Sequence, residues 1–197
     1  MDVVQITKTL DRQSVLDGYR KGTFPMGYPG QSLITWHRPN RRAILPLDQL
    51  HISRSLSRRL RKGGFRVSFD EAFGEVMRGC SERNSTWITR EIFRVYGELH
   101  QMGIAHSVEV WVDGLLAGGL YGVHIGGAFF AESKFHRVTD MSKVALVSIA
   151  RRLAGQDFCF MEVQYRTDHL AQFGVVEVNH ASYELMLAEA LGVERRF

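Results

Sequence analysis

Between Ser107 and Phe135 the chain runs SVEVWVDGLLAGGLYGVHIGGAFFAESKF, three apolar stretches broken by Asp113-Gly114 and Gly126-Gly127. Asp-Gly and Gly-Gly tolerate the positive φ of tight hairpin turns, so the pattern predicts a three-stranded antiparallel meander. Alternation along the third strand puts Phe130, Glu132 and Lys134 on one face and Phe129, Ala131, Ser133 and Phe135 on the other. Two opposite charges in so apolar a run allow two readings. One is an edge strand with a solvated face; the other is a pocket wall holding an acid, with Glu132 and Lys134 as nearest partners.

The flanking patterns predict further elements. Ser14–Lys21 reads as a short amphipathic helix closed by Gly22, and a glycine- and proline-rich loop follows from Thr23 to Gln31. Ile34–Trp36 and Ala43–Leu45 read as two short strands. Residues 1–49 hold too little apolar surface for a large core, so they are expected to form a small domain against 50–197. In the larger part, Ser53–Lys62 is a helix capped by Ser53 and stopped by Gly63-Gly64, and Phe65–Phe69 is a strand. Helices are expected at Asp70–Cys80, capped by Asp70, at Thr89–Gln101 and at Ser142–Leu153. The remainder reads as a strand at Phe158–Tyr165, a helical turn at Asp168–Phe173 closed by Gly174, a strand at Val175–Val178 and a helix at Ser182–Leu191.

The hydrophobic fraction of 45% and charged fraction of 23% are those of an ordinary globular protein. The net charge of +4 is unevenly spread: nine basic residues lie between Arg38 and Arg66, where Asp48 is the only acid. Such a density fits either a polyanion partner or a solvated helix face. Cys80 and Cys159 stand far apart and read as buried thiols of a reducing compartment. No His or Cys spacing suggests a metal, no run approaches a membrane span, and the amino terminus, with Asp2, does not read as a signal peptide. A cytoplasmic protein without metal or membrane partner is expected.

The element order after residue 50, an antiparallel meander followed by a helix and a further strand, is that of the acetyl-CoA-dependent N-acetyltransferase fold. In that fold a glycine-rich turn after the central strand cradles a pyrophosphate. Here the turn is His136-Arg137-Val138-Thr139-Asp140-Met141-Ser142, with an acid and no glycine, which argues against CoA.

Eight blocks in order carry a more specific likeness: GYRKGTFPMG (Gly18–Gly27), HISRSL (His51–Leu56), STWITREI (Ser85–Ile92) and AHSVEVW (Ala105–Trp111), then GGLYGV (Gly118–Val123), AESKF (Ala131–Phe135), SKVAL (Ser142–Leu146) and TDHLAQFG (Thr167–Gly174). Together they resemble the leucyl/phenylalanyl-tRNA–protein transferases. The resemblance implies an α+β enzyme, a small amino-terminal domain beside an acyltransferase-like domain with a largely antiparallel sheet flanked by helices. It further implies transfer of Leu or Phe from aminoacyl-tRNA to the N-terminal Arg or Lys of an acceptor protein, tagging it for degradation without a cofactor.

By resemblance, Trp36 and Trp87 hold the terminal adenosine, a job suited to an aromatic face; each could equally be a core aromatic. The helix bearing Arg54, Arg58, Arg59, Arg61 and Lys62 becomes the phosphate-binding face for the acceptor stem. Glu162 and Gln164, two apart on an expected strand and hence on one face, match the acid and amide proposed to relay the attacking amine's proton. The family usually has Asp where this chain has Glu162. Glu132 matches the pocket acid, with Ser133, Leu120 and Lys134 beside it; the family usually has Met at the last two positions. Met to Leu keeps a pocket apolar, whereas a lysine must snorkel, pair or lose its proton. Asp168 and His169 lack a nucleophile beside them and are expected to cap and pack their turn. A transferase with a shifted donor or a small amine acceptor, or an RNA-binding module on the same scaffold, are the alternatives.

Overall fold

The computed structural model describes residues 3–83 and 85–197; Asp2, which bears on the expected lack of a leader, lies outside them. Ten strands, seven α-helices and one short 3-10 helix (Leu47–Gln49) are described. Strands β1 (Val3–Thr7), β2 (Phe24–Gly27) and β3 (Ile34–His37) form a small antiparallel sheet in the order β1-β3-β2, with α1 (Arg12–Arg20) beside it. The expected loop from Thr23 to Gln31 thus contains β2. Its backbone is extended, which proline accepts where it blocks a helix.

The large sheet has seven strands in the order β10-β4-β9-β8-β7-β6-β5. They are β4 (Arg41–Leu45), β5 (Arg66–Phe69), β6 (Ala105–Val112), β7 (Leu115–Ile125), β8 (Ala128–His136), β9 (Phe160–Glu162) and β10 (Val176–Asn179). Every pairing is antiparallel except β8 with β9, which run parallel. The expected meander is β6-β7-β8, turned at Asp113 (φ 50°) and Gly114 (φ 77°) and again at Gly126 (φ 57°). β4 lies inside the expected small unit 1–49 yet sits in the large sheet, so the two sheets divide between His37 and Arg41.

Two cores cover the two faces of this sheet. On one face, Val15 and Tyr19 of α1 join residues of α3 (Phe73–Ser81), α4 (Arg90–Gln101) and α7 (His180–Leu191). On the other, α5 (Met141–Gly155) packs its Val144, Leu146, Ile149 and Leu153 over Val108, Val110, Leu120 and Phe129. α2 (Arg54–Lys62) buries Leu56 at this second core, and α6 (Asp168–Ala171) buries Leu170 there. Ser53 accepts from the Leu56 amide, and Gly63 ends α2 at φ 68°.

Asp70 does not cap α3, which starts three residues later. Its backbone is left-handed (φ 61°), and its carboxylate accepts the Ser107 amide and faces His106 Nδ1, both at 2.8 Å. The buried Glu109 takes up the start of α3 instead: it accepts the Ala72 amide at 3.3 Å and the hydroxyls of Ser68 and Ser107. Cys80 is buried as expected, but Cys159 is exposed.

The candidate active site

The site forms where β8 departs from simple alternation. In register, Ser133 opposes Tyr121 and Ala131 opposes Gly122, so Glu132 is an extra residue on β8, a bulge. Gly122 makes room for it: a Cβ there would stand 2.3 Å from the Phe130 carbonyl oxygen and 2.6 Å from the Phe129 ring. The bulge overturns the expected faces. Glu132 and Ser133 both turn toward the α1–α3–α4 core, where Ser133 faces the Cys80 thiol. Lys134 stands opposite Leu120, among the residues under α5. Glu132 and Lys134 therefore do not share a face, and no ion pair joins them among the described residues.

Glu132 is buried against the hydroxyls of Tyr19 and Tyr96, which lie 2.6 Å from each other. Burial pushes its carboxyl up to about 8, with the nearby Glu162 adding to the rise. Oε1 accepts the side-chain amide of Gln164 at 3.3 Å, while Oε2 is buried with no hydrogen bond of good geometry.

β9 stops at Glu162, so Gln164 lies beyond the strand, with a left-handed backbone (φ 64°). The expected partnership of Glu162 with Gln164 gives way to a different one: the acid on Gln164 is Glu132. Glu162 is held by Arg42, at 2.8 and 3.1 Å to its two oxygens, and by the Tyr183 hydroxyl. Arg42 is 1% exposed, its guanidinium 4.4 Å from the Tyr183 ring centre. The longer glutamate is thus absorbed by a buried ion pair.

Beside Glu132 opens a cleft of about 60 Å³ lined by Leu120, Ala131, Ser133, Lys134, Leu146, Val163 and Leu170. That is space for about four water-sized groups, walled largely by aliphatic side chains. Lys134 is half-buried; burial and the neighbouring Arg83 lower its pKa.

The other expected residues lie apart. Neither tryptophan lines this cleft. Trp36 is buried on β3, its indole donates to Thr7 Oγ1 at 3.3 Å, and its ring fills the space over Gly18. Trp87 is half-buried, and its carbonyl accepts the Gly27 amide. On α2, Arg54, Arg58 and Arg61 are exposed and line one shallow cleft with Ile52 and Ser57; Lys62 is exposed beside them. Arg59 turns away, stacking 5.1 Å over Phe65 and donating to the Gly63 carbonyl. His169 packs edge-on to Phe173, and α6 is capped by Thr167.

Arg42, Tyr183, Tyr19 and Tyr96 escaped the sequence reading. Arg42 carried one signal: it alternates onto the face of Ile44 next to the apolar run Ala43–Leu45, where a charge requires a partner. Among the described residues no group of His, Cys, Asp and Glu is arranged to hold a metal, and no helix is long and apolar enough to cross a membrane.

Residues 44–188 match the model of the family described as leucyl/phenylalanyl-tRNA protein transferase. A protein of that name from Salinibacter ruber is 49% identical over 91% of this chain and 79% of its own length. Another, from Herpetosiphon aurantiacus, is 46% identical over 98% of this chain and all of its own. Among solved structures, FemX superposes with a TM-score of 0.53 at 14% identity, over 76% of this chain and 64% of that one. At that identity the likeness speaks for the fold alone, an α+β architecture.

Proposed function

The chain belongs to the leucyl/phenylalanyl-tRNA–protein transferase family, and on that footing we propose that it transfers Leu or Phe from aminoacyl-tRNA to the N-terminal Arg or Lys of acceptor proteins, marking them for degradation. The observation that carries the reading is the Glu132–Gln164 contact at the edge of a cleft walled largely by aliphatic side chains. The acyl side chain enters the cleft, which leaves its ester carbonyl beside Gln164.

The ester is already activated, so the enzyme supplies position and a path for a proton. The acceptor's α-amine attacks the ester carbon. A C–N bond forms, the C–O bond to the ribose breaks, and the 3′-oxygen leaves with a proton. Glu132 fixes the Gln164 amide by accepting from its NH₂, which leaves the amide oxygen to accept an N–H from the attacking amine. The second oxygen of Glu132 is buried beside the Tyr19 and Tyr96 hydroxyls, and a substrate ammonium brought near the carboxyl would favour its ionised form. Glu162 serves one step back, held by Arg42 and Tyr183 as part of the wall behind Glu132.

For the donor, Arg54, Arg58, Arg61 and Lys62 are assigned to acceptor-stem phosphates, and Trp87, half-exposed, to the terminal adenosine. Trp36 is assigned to holding α1 and so Tyr19. The cytosol, where charged tRNA is made, is the proposed site of action. Lys134 in the cleft wall favours a second reading, a donor with a polar side chain. Labelled Leu carried by tRNA should appear on a protein beginning with Arg and not on one with a blocked N-terminus. Leu on a small amine alone would overturn the protein-acceptor reading.

A further inference from the structure

The cleft takes its lining from β8, α5 and α6, and the two helices also carry Lys143 and His169. Lys134 lines the cleft together with Leu146 of α5 and Leu170 of α6. Arg83, from the segment after α3, donates to the Lys134 carbonyl, which brings a second cation to the same strand end. His169 stands in the field of Lys134, Lys143 and His136, and burial together with these cations keeps its imidazole below its ordinary range.

The acids of this region are mostly taken. Asp140 pairs with Lys143 at 2.7 Å and Glu82 with Arg137 at 2.9 Å. Asp168 lies at the exposed start of α6. Lys134 and Arg83 have no carboxylate partner among the described residues. Like charges gathered without a counterion repel, and an anion placed among them removes that cost.

We propose that Lys134, Arg83 and His169 form an anion subsite that takes the phosphate on the 5′ side of the donor's terminal adenosine. The inference rests on the aminoacyl-tRNA reading above. Behind Lys134 the cleft walls are Leu120, Leu146, Val163 and Leu170, which suit an aliphatic group. With the acyl side chain inside, the ribose lies at the mouth, and the next anion along the donor is this phosphate, one sugar away. His169 takes up a proton as the phosphate arrives, and becomes a third charged donor. Asp140, which would oppose a pyrophosphate, is neutralised by Lys143 and leaves room for one phosphate.

The test uses a stable donor mimic, 3′-leucylamino-3′-deoxyadenosine, with and without a 5′-phosphate, as an inhibitor of transfer from leucyl-tRNA. In the wild type the 5′-phosphate should tighten inhibition at least about tenfold, the scale of hydrogen bonds to a charged group. Within Lys134→Met and within Arg83→Gln the same ratio should fall below about threefold. An equal inhibition constant with and without phosphate in the wild type would overturn the subsite. So would a glutamyl mimic that outcompetes the leucyl one in the wild type but not in Lys134→Met, since the cations would then serve an acidic side chain. A wild type that transfers nothing from leucyl-tRNA would overturn the transferase reading and this subsite with it.

Discussion

Gln164 donates its side-chain amide to Glu132 at 3.3 Å, across the parallel pairing of β8 and β9. Neither residue sits in regular strand geometry: Glu132 is the bulge of β8 and Gln164 has a left-handed backbone past the end of β9. Two irregular positions meeting over an apolar cleft is the arrangement expected where backbone strain serves a site.

If Gln164 guides the attacking amine, Gln164→Ala should lower kcat about 100-fold while leaving the KM for aminoacyl-tRNA within about threefold. Steady-state transfer assays at saturating acceptor check this. An unchanged kcat would remove Gln164 from the chemical step.

The pH dependence of stability isolates Glu132. Its folded-state pKa of about 8 lies above its unfolded value of 4.5, so between those pH values the native state holds an extra proton and stability falls as pH rises. His124, pushed down to about 4 chiefly by burial, acts oppositely: below 6.5 the unfolded state holds the extra proton, and stability rises with pH. The two offset between about 4.5 and 6.5, which leaves a net loss between 6.5 and 8 of up to about 1.4 kcal/mol per pH unit. Urea unfolding of the wild type should show that loss, and Glu132→Gln should be flat across the same window.

Arg42 and Glu162 are both buried, so removing one strands the other's charge. Arg42→Met alone should cost about 3–5 kcal/mol, and adding Glu162→Gln should restore part of it. Tyr183→Phe, which removes one hydrogen bond to Glu162 and one from Arg42, should cost less. A double mutant no more stable than Arg42→Met would show that the packing of Arg42 between Phe24 and Tyr183 matters more than its charge.

On α2, Arg58→Ala with Arg61→Ala should weaken binding to all aminoacyl-tRNAs alike and reduce the salt slope of log K by about two. Arg59→Ala should leave that slope unchanged, because Arg59 closes its own helix on Phe65 and Gly63. Filter binding across a salt series distinguishes them.

Much of the fold was legible because its signals are local. Asp113-Gly114 and Gly126-Gly127 mark the hairpin turns, and Gly63 the end of α2. The site was legible by residue type more than by partner. Period-2 alternation put Glu132 beside Lys134, and only the register of β8 against β7 reveals the bulge that separates them. Likewise Glu162 and Gln164 stand two apart in sequence, but Arg42 and Tyr183, 120 and 21 residues away from Glu162, claim its carboxylate. Such partners are set by strand order, as when β4 crosses from the small sheet's neighbourhood into the large one. Sequence spacing carries no trace of that.

The central claim is tested most directly by the intact mass of a protein beginning with Arg, after incubation with leucyl-tRNA and the enzyme. Aminoacyl transfer predicts a gain of one leucyl residue on the N-terminal Arg, absent when that amine is acetylated and reduced about 100-fold in rate with Gln164→Ala. An unmodified acceptor in the presence of wild-type enzyme and intact leucyl-tRNA would contradict it.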